Sequence, residues 1–244
     1  MTETNVFQLA QPGSFGVSVQ LNRRDKQKLR VGEDIPTPDE VRRMIEAVHG
    51  RQRALLVTAC FTGLRASEPR GLRWSDVELE GAEPQLHVRQ RADRYRTIGS
   101  LKSASGERTV PLGPFMANTL RSLRALDRRG ELMFANQAGH VDFHQTMVQR
   151  MLHRAQVAAG ITVERDGKVT PKYTGLHCLR HFFASWCLNR RVDGGLELPL
   201  KTVQARLGHA TLSMTADVYG HLFPSTDAHN ELAAAEKALG LHVA

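Results

Sequence analysis

From Ala54 to Thr62 the chain is apolar nearly all round, with Leu55, Leu56, Val57, Cys60 and Phe61 filling a helical stretch that Gly63 stops. A helix without a polar face must be enclosed by other elements, so this segment predicts a helical domain built around it. Ahead of it, Thr37-Pro38-Asp39-Glu40 reads as a capping box with proline at the first helical position. Val41, Met44, Ile45 and Val48 then fall on one face, and Gly50 reads as the terminator. Helical periodicity returns at Phe115 to Leu126, at Phe143 to Ala159, around Leu179 to Leu188, and at Leu200 to Leu207, which Gly208 ends. Between Asp76 and Leu112 the pattern changes: Leu86, Val88, Val110 and Leu112 alternate with polar residues, and Gly99 and Gly106 interrupt them. The expected fold is mainly α with a small antiparallel sheet of about three strands, and the segment holding Gly167 and Pro171 reads as a loop.

The 244 residues include 33 Lys+Arg against 25 Asp+Glu, a net charge of +8 that points to a polyanionic partner. Cys60, Cys178 and Cys187 are odd in number and show no CxxC spacing, which argues against a disulfide framework or a zinc ribbon and for structural thiols in a reducing cytoplasm. The sequence contains neither a run of about 18 apolar residues nor an N-terminal basic and apolar export signal, so membrane spanning and export are set aside. Residues 1–34 carry Arg23, Arg24, Lys26, Lys28 and Arg30 and read as a basic arm or the remnant of an interdomain linker. The tail 225–244 is Ala-rich, and its stripe of Leu232, Ala235 and Leu239 is too thin to hold a helix alone.

Four segments carry the chemistry. They are Thr62-Gly63-Leu64-Arg65-Ala66-Ser67-Glu68, Leu101-Lys102 leading to Arg108-Thr109-Val110-Pro111-Leu112, His177-Cys178-Leu179-Arg180-His181, and Leu207-Gly208-His209 followed ten residues later by Tyr219. His177 and Arg180 share a helix face and can address one anion together. In this order the segments resemble the catalytic domain of the tyrosine recombinases, the phage-integrase family, from about Ile35 to Pro224, with Leu207 to Pro224 closest to the family's C-terminal motif. The resemblance implies that Arg65 is the first arginine of the site and Glu68 its supporting acid. It likewise implies that Lys102 is the hairpin lysine, His177 and Arg180 the HxxR pair, His209 the second histidine and Tyr219 the nucleophile.

Those residue types suit one reaction. A phosphodiester gains negative charge as it becomes five-coordinate, so fixed guanidinium groups lower the barrier selectively in the transition state. Arg65 and Arg180 fit that clamp, Tyr219 needs a base or a strongly positive site to attack, His177 is the candidate base, Lys102 the acid for the leaving 5′-oxygen, and His209 a donor to a nonbridging oxygen. No metal or other cofactor is required, and no GxxxxGK[ST] loop is present. The expected product is a covalent 3′-phosphotyrosyl DNA intermediate, made by a site-specific recombinase that integrates or excises mobile DNA. The resemblance implies double-stranded DNA as the partner, a homotetramer on paired sites with a C-terminal tail exchanged between subunits, and accessory DNA-bending or directionality proteins. The expected setting is a bacterial or phage-derived, nucleoid-associated cytoplasmic one. Type IB topoisomerase-like activity, or a non-catalytic DNA-binding module derived from an integrase, are the alternatives. Arg23, Arg24, Lys26, Lys28, Arg89, Arg91, Arg94 and Arg96 are candidate phosphate contacts. His181, about 100° round the helix from Arg180, is assigned to packing or support. Only about 34 residues precede the resemblance, too few for the helical core-binding domain such enzymes carry, so a catalytic fragment or a truncated relative is expected.

Overall fold

The computed structural model describes residues 28–126, 130–223, 232–233 and 236–240. Arg23, Arg24, Lys26 and most of the C-terminal tail therefore lie outside the described residues.

The capping box forms at Thr37: its hydroxyl accepts from the Glu40 amide while Glu40 reaches back to the Thr37 amide, opening helix α1 (Pro38–Glu46). Glu40 is also buried against Tyr173 and Lys172, which donate to its carboxylate at 2.7 and 2.6 Å and tie the start of α1 to a segment 130 residues on. Helix α2 (Gly50–Thr62) is the central one, with Leu56, Val57 and Cys60 fully buried. Gly50 does not terminate α1, which ends at Glu46; it starts α2 in a left-handed conformation, φ 54°. Gly63 closes α2 at φ 61°, and a side chain there would collide with the Phe183 ring, so only glycine fits.

Around α2 pack α3 (Pro114–Leu126), a helix assembled from α4 (His144–Met147), a π-helical turn (Val148–His153) and α5 (Arg154–Ala158), and α6 (His177–Leu188). Helices α7 (Leu200–Leu207) and α8 (Leu212–Tyr219) form a smaller second layer on α6. The antiparallel three-stranded sheet has the order β1 (Val77–Glu78), β2 (Gln85–Val88), β5 (Arg108–Pro111), with Leu86 opposite both Val77 and Val110. A separate two-stranded hairpin, β3 (Arg91–Ala92) and β4 (Ile98–Gly99), projects between β2 and β5. The segment read as a loop around Gly167 is a second hairpin, β6 (Thr162–Arg165) and β7 (Lys168–Pro171). Its turn is Asp166-Gly167 at φ 51° and 70°, the left-handed pair that a two-residue hairpin turn requires.

Residues 190–198 connect α6 to α7. They fold back onto α6 through Leu196 and Leu198 amides, which donate to the Trp186 and Cys187 carbonyls at 3.0 and 2.8 Å. All three cysteines are buried and unpaired. No helix among the described residues is long and apolar enough to cross a membrane.

Candidate active site

Three chain turns converge at one end of α6. The C-terminus of α2 presents Gly63 and Arg65, the first two turns of α6 present His177, Arg180 and His181, and the C-terminus of α7 presents Gly208 and His209. Helices α2 and α7 both end in left-handed glycines, at φ 61° and 65°, which leave their last carbonyls without helical partners. Arginines take those carbonyls. Arg180, 4 % exposed, donates from Nη1 to the Gly63 carbonyl and from Nη2 to the Leu207 carbonyl at 2.8 Å. Arg65 donates from Nη2 to the Gly208 carbonyl at 2.6 Å.

Glu68, 1 % exposed, balances part of this charge. Its Oε1 accepts from Arg65 Nη1 at 3.0 Å, while Oε2 accepts from the Arg65 amide and from Arg108 Nη2, both at 2.8 Å. Burial works against its charged form, but Arg108 and then Arg65 overcome it and hold the carboxyl below the usual range. Pro69, directly after it, opens a short 3₁₀ turn, Pro69–Gly71, at a position where its missing amide costs nothing.

Tyr219 ends α8 and is 2 % exposed. Its hydroxyl lies 2.9 Å from His181 Nδ1, and its ring stacks at 7° on His209 with centroids 6.4 Å apart. Burial raises the phenol to about 12, against the pull of Arg180. Burial likewise lowers Arg180 to about 10, helped by Arg65. His209 is fixed by a 2.9 Å hydrogen bond between Nδ1 and the buried Thr215 hydroxyl. His177 is exposed and packs edge-on to His181, with ring centroids 5.8 Å apart. Burial is also the largest cause of its lowered pKa, followed by Arg180, Arg65 and His144.

The structure thus gathers Arg65, Glu68, His177, Arg180, His209 and Tyr219. Lys102 stands apart, exposed on the turn between β4 and β5. Of the proposed phosphate contacts, Lys28 is exposed, Arg89 bonds the buried Asp76 at 3.3 Å, and Arg91 is half-buried in β3. Arg94 and Arg96 crown the β3–β4 hairpin, stacked over Tyr95 and Phe143 at 4.7 and 4.2 Å. Two further side chains join the cluster: His181, assigned to packing or support from the sequence, and Arg108, which has no role in the sequence reading. His181 touches the Tyr219 hydroxyl, and its signal is the i, i+4 spacing from His177, which puts both imidazoles on one face. Arg108 carries no such signal, because its partners lie 40 and 98 residues away.

The histidines give the site a pH signature in stability. Burial pushes His181 down to about 4, with His177 and Arg180 assisting, and burial with Arg180 and Arg65 does the same to His209. An unfolded imidazole titrates near 6.5, so below that pH the unfolded chain binds protons that the folded one refuses. Stability is therefore held above about pH 6.5 and lost as pH falls toward 4. Thermal unfolding is expected to show a lower Tm at pH 5 than at pH 7.5, with a smaller drop in a His181→Gln/His209→Gln variant. Equal drops would place the titration elsewhere.

Solved structures share this architecture. The crystal structure of XerA recombinase superposes with a TM-score of 0.56 at 24% identity, covering 86% of this chain and 66% of that one. The Tn1549 transposon integrase in complex with transposon right end DNA gives 0.66 at 20% identity, covering 88% and 68%. Helical layers, small sheets and the site at the end of α6 define a tyrosine recombinase catalytic-domain fold. The model of the phage integrase family matches residues 36–226, and the chain belongs to that family. Among curated relatives, a tyrosine recombinase XerC-like protein of Caldanaerobacter subterraneus subsp. tengcongensis is 27% identical over 88% of this chain and 57% of its own length. Tyrosine recombinase XerC of Halalkalibacterium halodurans is 30% identical over 75% and 56%. Tyrosine recombinase XerD of Pseudomonas putida is 33% identical over 72% and 51%. The chain spans about half the length of the curated relatives it matches.

Proposed function

We propose that this chain is the catalytic part of a site-specific DNA recombinase that cleaves and rejoins DNA through a 3′-phosphotyrosyl bond to Tyr219. The observation that carries the proposal is a buried excess of positive charge beside a buried tyrosine. Among the described residues, Arg65, Arg108 and Arg180 meet one carboxylate, Glu68, in these contacts, which leaves two positive charges unbalanced. A phosphodiester carries one negative charge and its five-coordinate transition state two, so the site matches the transition state better than the ground state.

In the reaction, Arg65 and Arg180 use their remaining N–H donors on the nonbridging oxygens, and His209 donates from Nε2. His181 holds the Tyr219 hydroxyl in reserve until the phosphodiester arrives. The Tyr219 oxygen then bonds to phosphorus as the P–O5′ bond breaks, the phenolic proton passes to His177, and Lys102 protonates the departing 5′-oxygen. Rejoining runs the same steps in reverse with a new 5′-hydroxyl.

Double-stranded DNA is the partner, in a bacterial cytoplasm and at the nucleoid, with Arg94 and Arg96 on the β3–β4 hairpin and the basic residues from Arg23 to Lys28 as backbone contacts. Solved structures of similar fold include XerH bound to its difH substrate and a lambda integrase tetramer bound to a Holliday junction, the latter at a TM-score of 0.52. A homotetramer on paired sites fits this chain too, with tails exchanged between copies. An apolar cleft of about 680 Å³ lined by Phe61, Leu112, Phe115, Phe183 and Trp186 offers a receptor for such a tail. Accessory DNA-bending or directionality proteins complete the reaction on its mobile element.

The test is a pool of nicked suicide DNA substrates incubated without metal or ATP and resolved under denaturing conditions. The expected product is protein joined to a DNA 3′ end, with the adduct mapping to Tyr219 and the trapped DNA reporting the target site. An adduct on another residue would overturn the assignment, and failure even when the chain is fused to a generic DNA-binding domain would favour the non-catalytic module.

A further inference from the structure

Arg108 opens β5 with its side chain only 5 % exposed, and each of its three nitrogens serves a different part of the site. Nη2 donates to Glu68 Oε2 at 2.8 Å, beside Arg65. Nη1 donates to the Gly106 carbonyl at 2.8 Å, at the end of the turn that follows Lys102. Nε donates to the Arg206 carbonyl at 2.8 Å, in the last turn of α7 just ahead of Gly208 and His209. That Lys102 turn is compact, closed by Gly106 and Glu107 amides donating to the Ser103 and Ala104 carbonyls at 2.9 and 3.1 Å. It also sits directly on Gly208: a Cβ built there would lie 2.9 Å from the Ser105 carbonyl oxygen and 3.1 Å from Arg108 Nη1.

We infer that Arg108 is a positioning residue that registers the Lys102 turn against the two anchors of the phosphate clamp, Arg65–Glu68 and Gly208–His209. The inference rests on the function proposed above. Lys102 itself is exposed and reaches the clamp only through this turn, so the placement of its ammonium relative to the scissile phosphate depends on what holds the turn down. A planar guanidinium holds three acceptors in a rigid fork, whereas a lysine at 108 would keep the charge beside Glu68 and lose at least one of the other two bonds. The consequence is selective. The step that needs a proton delivered to the 5′-oxygen suffers more than the clamp on the nonbridging oxygens.

A pair of suicide substrates separates these effects. One carries the ordinary 5′-oxygen at the cleavage position, and the other carries sulfur there, a thiolate leaving group that departs without a proton because thiols ionise near pH 8.5. Arg108→Lys is expected to slow cleavage of the oxygen substrate by about 100-fold, the scale of a misplaced general acid, and that of the sulfur substrate by less than about threefold. Lys102→Ala should show the same recovery on sulfur, and Arg65→Lys should be slow on both. The ratio of the two rates does not depend on the folded fraction, since unfolded protein cleaves neither substrate. Gly106→Val provides a second variant: a Cβ there lies 3.2 Å from that of Leu101, so the turn shifts with no charge altered, and the same recovery on sulfur is expected. Equal slowing of Arg108→Lys on both substrates, or none on either, overturns the inference. If Lys102→Ala itself fails to recover on sulfur, the acid role of Lys102 falls instead, a result distinguishable from failure of the Arg108 assignment.

Discussion

Tyr219→Phe is expected to give a folded protein that binds DNA with unchanged salt dependence and forms no covalent adduct above background. The phenol ring is 2 % exposed and stacked on His209, and phenylalanine keeps that packing. The hydroxyl is lost together with its hydrogen bond to His181, a stability change of about 1 kcal/mol. On the function proposed above, the backbone contacts that set DNA affinity come from basic side chains elsewhere, so the slope of binding against salt should not move. The three cysteines are not substitute nucleophiles for adduct formation, because they are buried, with burial raising Cys178 above its usual range and Cys187 to about 12. Denaturing gels on the suicide substrate, with urea unfolding and filter binding alongside, read all three quantities. Adduct at the wild-type rate in the variant would remove Tyr219 from the mechanism.

The sequence carries the helices well and the site unevenly. The all-apolar segment before Gly63 and the Thr37 capping box are local signals, and both become the elements they predict because burial and capping are satisfied within a few residues. Hairpin β6–β7 escapes because its strands are mostly polar and half or fully exposed, although Asp166-Gly167 is a hairpin-turn signal. The π-helical turn inside the α4–α5 helix leaves the apolar period nearly intact and so has no visible signature. For the site, the family resemblance names Arg65, Glu68, Lys102, His177, Arg180, His209 and Tyr219, and all but Lys102 lie together in the fold. What residue order cannot express is that His181, one residue past Arg180, meets the tyrosine hydroxyl across 38 residues of chain. Nor can it express that Arg108 bridges three segments, since such contacts exist only after the layers pack.

Packing also explains how the clamp is held still. Helix C-termini concentrate partial negative charge on carbonyls with no helical partner, and cations are favoured there. Ending both α2 and α7 in left-handed glycines points those carbonyls at one place, where Arg180 and Arg65 pin themselves to the backbone, Arg65 being held by the buried Glu68 as well. Each guanidinium is therefore held in place in advance, and on the function proposed above its catalytic contribution comes from not having to reorganise during the reaction.

Arg180→Lys tests that idea most severely. The ammonium keeps the charge but cannot span the Gly63 and Leu207 carbonyls together, so one carbonyl loses its partner and the cation loses its fixed position. A stability loss of about 1–3 kcal/mol is expected from the abandoned carbonyl. The rate effect should be larger: cleavage slowed by about 10²–10³-fold, the usual result of removing one preorganised donor from a developing oxyanion. Single-turnover cleavage rates and urea midpoints, measured on the same preparations, separate the two effects. A substrate with a methylphosphonate at the cleavage site sharpens the result, because replacing a nonbridging oxygen by a neutral methyl group removes the charge that Arg180 neutralises. On that substrate the penalty of Arg180→Lys should shrink to a few-fold, since only the positional part of the defect remains to be expressed. An undiminished penalty would make Arg180 a structural tie between α2 and α7 and leave Arg65 to carry the phosphate alone.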